Sequence, residues 1–256
     1  MNKTLVKSFY FFSTSIFIIL IHFPFVFAKV KMLDSPASVR VTDSTKLNAT
    51  GNKDFFITEK LCSFEGLELA KFGLSRQAFD YAIRGFHYLV SKGKLNDNQI
   101  LSIIDFSLPS SKKRLFILDL TKGKILFNTY VAHGRNSGRE LATQFSNKQE
   151  SYQSSLGFYV TQETYTGKHG FSLRLQGQET GINDNARSRE IVMHSAPYVD
   201  EKWIHNQGFI GRSLGCPALP ENMHKPIIEK IKNGTCLFLY SPDKYYTSHS
   251  TILQKA

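Results

Sequence analysis

Apolar residues recur at three- and four-residue spacing over Ala78, Tyr81, Ala82, Phe86 and Leu89. Ser75 stands ahead of them as a helix N-cap and Gly93 closes the run, which predicts an amphipathic helix used for packing. From about Ile103 the pattern changes. Arg114–Leu120 is a short apolar run that predicts a strand, Thr121-Lys122-Gly123-Lys124 a turn, and Ile125–Ala132 the returning strand. Further strands are expected at Leu156–Tyr165, Phe171–Leu175, Glu190–His194 and Thr235–Tyr240, with one short helix near Glu221–Ile231 after Pro220. Short strands between Gly-rich turns, with few helices, predict a mainly β domain, a sandwich or partly closed barrel. An N-terminal helical segment and one or two short helices complete it.

The first 28 residues follow a different pattern. Lys3 and Lys7 are their only charges, and an apolar stretch runs from Phe9 to Val26-Phe27-Ala28, densest at Ile16–Ile21. A basic start, an apolar middle and small residues at the end form the three parts of a secretory signal. Ser13, Thr14, Ser15, His22 and Pro24 interrupt the stretch, so cleavage after Ala28 is favoured over a spanning anchor. The expected organisation is a signal peptide over 1–28, a polar, flexible leader over 29–55, a helical segment over 56–104, a catalytic domain over 105–242 and a tail over 243–256. The protein is expected outside the cytoplasm, in the periplasm or cell envelope, touching membrane only if the signal stays uncleaved.

The chain of 256 residues carries a formal net charge of +11, and losing Lys3 and Lys7 with the signal leaves +9. A surplus of this size favours association with an anionic envelope. No Lys/Arg run interleaves with aromatics, so nucleic acid is not an expected partner. The three cysteines exclude a disulfide scaffold. Cys62 and Cys236 are the pair left once Cys216 is kept free; an exported setting permits a bridge between them, and Cys236 as a core residue fits equally well.

The sharpest local feature is Gly208-Phe209-Ile210-Gly211-Arg212-Ser213-Leu214-Gly215-Cys216-Pro217. A glycine beside the cysteine lets the backbone turn so that its N–H groups converge, the arrangement that holds an oxyanion. Arg212 is expected to favour the thiolate, the reactive form. His194, at the end of Ile191-Val192-Met193, is the candidate base, and the carbonyl of Ser195 the group that fixes its tautomer. His133 and Arg135 share a second Gly-rich loop that either lines the cleft or is an ordinary turn. His169, between Lys168 and Gly170, is a substrate contact or an exposed turn residue. No His-x-x-x-His or Cys-x-x-Cys pair exists, and the spacing of His194, His205 and Cys216 matches no zinc pattern, so neither metal nor cofactor is expected.

His194 followed 19 positions later by Ser213-x-Gly215-Cys216 resembles the active-site signature of the L,D-transpeptidases of the YkuD type. The context is similar to the murein L,D-transpeptidase catalytic domain branch, through Asp119-Leu120 with Gly123-Lys124, Ala132–Gly138, Ser154–Tyr159, Gly167–Gly170 and Gly211–Pro220. The resemblance covers about 105–242. It implies the β-sandwich or partly closed barrel of that family and an exported cysteine enzyme acting on peptidoglycan stem peptides. Cys216 is then the nucleophile, His194 its base and Ser195 the orienting carbonyl, with Leu214, Gly215 and Cys216 as amide donors to the oxyanion. Ser213, Arg212, His133, Arg135 and His169 fall on the substrate side. The implied reaction moves the acyl group of the third, L-centred residue onto an amine, releasing D-Ala and forming a 3→3 cross-link. Water as acceptor gives an L,D-carboxypeptidase, and a binding protein that kept the fold is a third reading; a monomer is favoured. Two positions depart from the family pattern. Leu214 stands where His is common, and Ala218 where Asn or Arg is common two places after the cysteine.

Overall fold

The computed structural model describes residues 62–256; the signal peptide, the leader and residues 56–61 of the helical segment lie outside the described residues. Helix α1 (Arg76–Ser91) begins where Ser75 accepts from the Ala78 amide at 3.1 Å. Its buried positions, Ala78, Phe79, Ala82, Gly85, Phe86 and Leu89, form one stripe that packs on the sheet. Gly85 sets how closely it packs, since a Cβ there would lie 1.9 Å from the Phe158 ring.

Eight strands form one mixed sheet: β1 (Ile100–Asp105), β2 (Leu115–Asp119), β3 (Lys124–Thr129), β4 (Gly157–Gly167), β5 (Gly170–Gly177), β6 (Val192–Ser195), β7 (Ala218–Leu219) and β8 (Cys236–Tyr240). Their order across the sheet is β3-β2-β1-β8-β4-β5-β6-β7. β1 pairs parallel with β8 and β6 parallel with β7, and the other neighbours are antiparallel. The chain leaving β3 then bridges the opposite edge, Ala132 to Ala218, so the sheet curls until its two edge strands meet. This is the mainly β, partly closed architecture expected from the strand pattern.

Two features differ from the pattern-based expectation. β1 was not anticipated, because all six of its residues are buried and a strand covered on both faces shows no alternation. Where periodicity predicts one short helix, there are four: α2 (Glu201–Gln207), α3 (His224–Ile231), α4 (Lys244–His249) and α5 (Thr251–Lys255). α2, α4 and α5 have five to seven residues, under two turns, too short to display a period. The last two are tied into the core through Glu179. Its buried carboxylate accepts from the Phe158 amide at 2.8 Å, from Tyr246 Oη at 3.2 Å and from Ser250 Oγ.

One large core joins α1, the sheet, α3 and the C-terminal helices. A second, small one (Ala132, Ala196, Val199, Ile210, Ala218) sits where the sheet edges meet, beside the Cys216 loop. All three cysteines are free, so Cys62 and Cys236 form no bridge.

Candidate active site

Four segments converge on Cys216: the loop 131–138 after β3, the stretch 151–156 before β4, the run 189–195 into β6, and the loop 209–217 itself. Extended backbone pairing locks the first to the last. Ser213 N–H donates to His133 O at 2.9 Å and Arg135 N–H to Ser213 O at 2.7 Å. Ser154 Oγ donates to Gly215 O at 3.1 Å and accepts from Gly134 N–H. Gly215 has φ +126, and a Cβ there would lie 2.8 Å from Gln153 O and 3.0 Å from Ile191 Cδ1. Only glycine gives this turn and this close approach.

The β6–β7 register pairs His194 with Ala218, and Cys216 lies two residues before that pair, beside Val192. Val192 N–H points at Cys216 Sγ at 3.4 Å, and the thiol faces Glu190 O at 3.6 Å. Glu190 adopts a left-handed φ of +55, which turns its carbonyl into the site. His194 is 3% exposed, and its Nδ1–H donates to Ser195 O at 2.8 Å. That bond fixes the tautomer and leaves Nε2 as the basic nitrogen. No hydrogen bond joins His194 to Cys216 among the described residues.

Burial raises the Cys216 thiol pKa above its ordinary value, opposed by the Val192 amide and the Arg189 cation and reinforced by the charge of Glu190. Burial also lowers His194, helped by the neighbouring His169 and His224 imidazoles and opposed by the Ser195 carbonyl. Both groups are therefore neutral at pH 7. The arrangement suits a base that removes the thiol proton as the thiol attacks, not a standing thiolate–imidazolium pair.

Several expected roles change. Arg212 Nη1 donates to Arg135 O at 3.2 Å and Gly138 O at 2.9 Å, and the cation that acts on the Cys216 thiol is Arg189. Gly215 N–H is held by Ser213 Oγ at 3.0 Å, and that hydroxyl in turn donates to Cys216 O at 2.6 Å. Gly215 N–H is thus already engaged within the loop. His133 does not line a cleft, since its ring is fully buried against Arg114. Arg135 is exposed and lies over the Tyr152 ring at 4.3 Å. Leu214 is 57% exposed at the surface of the loop. Ala218 is buried in the small core against Ala132 and Ala196, which explains why no larger polar residue stands there. His169 does reach the site: its ring stacks on that of His194 with centroids 4.3 Å apart.

Two residues not singled out by sequence pattern belong here. Arg189 donates to Ser146 O (2.7 Å), Gln153 O (2.8 Å), Ser151 Oγ (3.1 Å) and Ser155 Oγ, and acts electrostatically on Cys216. Burial, with a smaller contribution from the neighbouring Cys216, pushes the Tyr198 hydroxyl up to about 12. Nothing in the spacing marks either one; only the fold brings them to the thiol. Replacing Arg189 by Gln is expected to slow Cys216 alkylation by iodoacetamide at pH 7 about threefold or more, since a cation that favours the thiolate is lost. Arg189→Lys should fall between, keeping the charge without the fork. Peptide mass spectrometry of the alkylated thiol reads both.

A cavity of about 570 Å³ opens past the ends of β6 and β7, lined by Tyr130, Pro197, Asp200, Glu201, Pro220 and Glu221 among others. Cys216 and His194 are not among its walls. Among the described residues no cluster of three or more His, Cys, Asp or Glu side chains is arranged to hold a metal.

The family model described as L,D-transpeptidase catalytic domain matches residues 70–240, the stretch that holds α1, the whole sheet and this site. The chain belongs to that family. Membership of the L,D-transpeptidase catalytic domain family supports a peptidoglycan-related transpeptidase or a related activity. Solved structures similar to the chain include an L,D-transpeptidase from Mycobacterium smegmatis, at 12% identity over 56% of this chain and 59% of that one, TM-score 0.34. An L,D-transpeptidase from Mycobacterium tuberculosis matches at 13% identity over 56% and 58%, TM-score 0.33. The helical cell shape determining protein Pgp2 from Campylobacter jejuni matches at 14% identity over 62% and 56%, TM-score 0.35. The chain spans just over half the length of these proteins. No curated protein matches it.

Proposed function

We propose that this L,D-transpeptidase-family chain is an exported cysteine acyltransferase of peptidoglycan stem peptides. The observation that carries the reading is the placement of His194 on β6 and of Cys216 in the loop two residues before its pairing partner on β7, with Nδ1 of His194 held on Ser195 O. Cys216 Sγ attacks the carbonyl carbon of the third, L-centred stem residue while its proton passes to His194 Nε2. The Leu214 and Cys216 amides receive the oxyanion. Collapse breaks the C–N bond to D-Ala, and His194 returns the proton to the leaving amine, leaving a thioester on Cys216. An amine from a second stem then attacks the thioester, His194 takes its proton, and the C–S bond breaks. The product is a 3→3 cross-link, and the thiol recovers its proton from His194.

Residues 1–28 would deliver the chain to the periplasm or cell envelope, and the surplus of basic residues would favour an anionic wall. With Ala218 buried and Arg212 tied to backbone carbonyls, recognition of the substrate carboxylate falls to Arg135, whose guanidinium stands exposed over Tyr152.

The test is mass spectrometry of protein incubated with a disaccharide-tetrapeptide. A dimer lighter than two substrates by one D-Ala is expected. A tripeptide alone would identify water as the acceptor and an L,D-carboxypeptidase. No product from folded protein, together with sacculus binding that thiol alkylation leaves intact, would identify a binding protein.

A further inference from the structure

The turn between β4 and β5 is only Lys168-His169, closed by Gly170 at φ +72. β5 pairs with β6 at Leu173–Met193 and Arg174–Val192. Continued antiparallel, that register sets Ser172 opposite His194 and Phe171 opposite Ser195, and the hairpin tip follows two to three residues beyond. His169 is exposed, yet its ring lies nearly parallel to the buried His194 ring, centroids 4.3 Å apart and planes inclined by 22°. A face-to-face stack leaves the ring edges clear, so the Nδ1 edge of His194 keeps Ser195 O and the Nε2 edge stays open.

We propose that His169 is a positioning residue of this site: carried on the β4–β5 turn, its ring covers one face of the His194 ring, holds the imidazole plane and shields it from water. The proposal rests on the reading of His194 as the base. Without the stack, His194 is held by a single hydrogen bond and is free to rock about it. The groups set against His194 are His169 from the hairpin, His224 from the start of α3 and the Ser195 carbonyl on its own strand. Both neighbouring imidazoles oppose a positive charge on His194 and so keep it unprotonated in the resting site.

The experiment is acylation of Cys216 by p-nitrophenyl acetate on the full chain, read as acyl-enzyme mass from pH 5 to 9. The probe needs only the thiol and its base, not a stem peptide. His194→Ala is expected to slow it about a hundredfold or more and to remove the acid limb. His169→Ala is expected to lose about tenfold at pH 8, and its acid limb should move to higher pH, because a like-charge neighbour and the cover on the ring are both gone. His169→Phe should recover most of the rate at pH 8, where a flat ring suffices, while its limb stays displaced. His169→Ala within twofold of the parent, with an unmoved limb, would overturn the proposal and leave His194 as base. So would a slow His169→Ala whose limb is unmoved and which Phe does not rescue. A parent-like His194→Ala would overturn the base assignment and the proposal with it.

Discussion

Cys216→Ala is expected to lower release of D-Ala from a disaccharide-tetrapeptide by at least about 10⁴-fold, with no dimer and no thioester mass on the protein. Removing Sγ deletes the atom that forms the new bond, and no second cysteine can replace it. Cys236 is buried in β8 with its pKa pushed far up, and Cys62 lies at Leu120 O, past the end of β2 opposite the one beside the Ala132–Ala218 bridge. The fold should be unharmed, because among the described residues the thiol's hydrogen bonds are two long ones, to Val192 N–H and Glu190 O, and alanine keeps the Cβ against the core. Unchanged thermal unfolding alongside lost turnover is the expected pair of results. Turnover that survived in folded Cys216→Ala would show that the chemistry does not pass through this thiol.

Arg114→Ala is expected to cost about 3–5 kcal/mol of stability, a fall of roughly 10 °C in Tm for a domain of this size. Arg114 is fully buried. Its Nε and Nη2 donate to Val131 O at 3.1 and 2.9 Å, its Nη1 to Leu108 O at 3.0 Å, and Nη2 to His133 Nδ1 at 2.7 Å. The guanidinium also lies 4.9 Å from the Phe106 ring. Deleting it leaves two carbonyls and an imidazole nitrogen without donors and opens a void among them. Arg114→Met would fill the space and still leave those acceptors unpaired, so little recovery is expected. Lys cannot reach three acceptors in a fork.

The same cluster sets a pH dependence. Burial and the Arg114 cation push His133 down to about 3, whereas in an unfolded chain it protonates near ~6.5. Below ~6.5 the unfolded state therefore binds a proton that the folded state does not, and stability falls as pH drops towards about 3. Urea unfolding at pH 7 and at pH 4.5 measures both the loss in Arg114→Ala and this slope. Because His133 O receives Ser213 N–H, loosening the cluster should also slow Cys216 chemistry.

Much of this was legible in the residues. The period of Ala78, Ala82, Phe86 and Leu89 marks α1 because one face of the helix is buried and the other is wet. The turn at Thr121–Lys124 marks the β2–β3 hairpin, and the Gly-rich loop around Cys216 stands out because glycine there serves a backbone need. β1 left no such trace, since both of its faces are covered. The short helices α2, α4 and α5 left only their caps, Asp200, Asp243 and Ser250, whose side chains accept from Lys202, Tyr246 and Leu253 amides. Those caps were the available signal, a single residue each.

Local order along the chain determined the strand-rich class, the family signature and the candidate reactive pair, because each depends on residues near one another in sequence or on one short motif. Which cation faces the thiol was decided by the fold. Arg212 is four residues from Cys216 and is turned onto carbonyls, while Arg189, on a different segment, acts on it. That His133 is buried and His169 lies on His194 was likewise decided by the curl of the sheet and the register of β5 on β6. Charges and rings interact through space, and sequence spacing carries no distance once the chain has crossed from one strand to another.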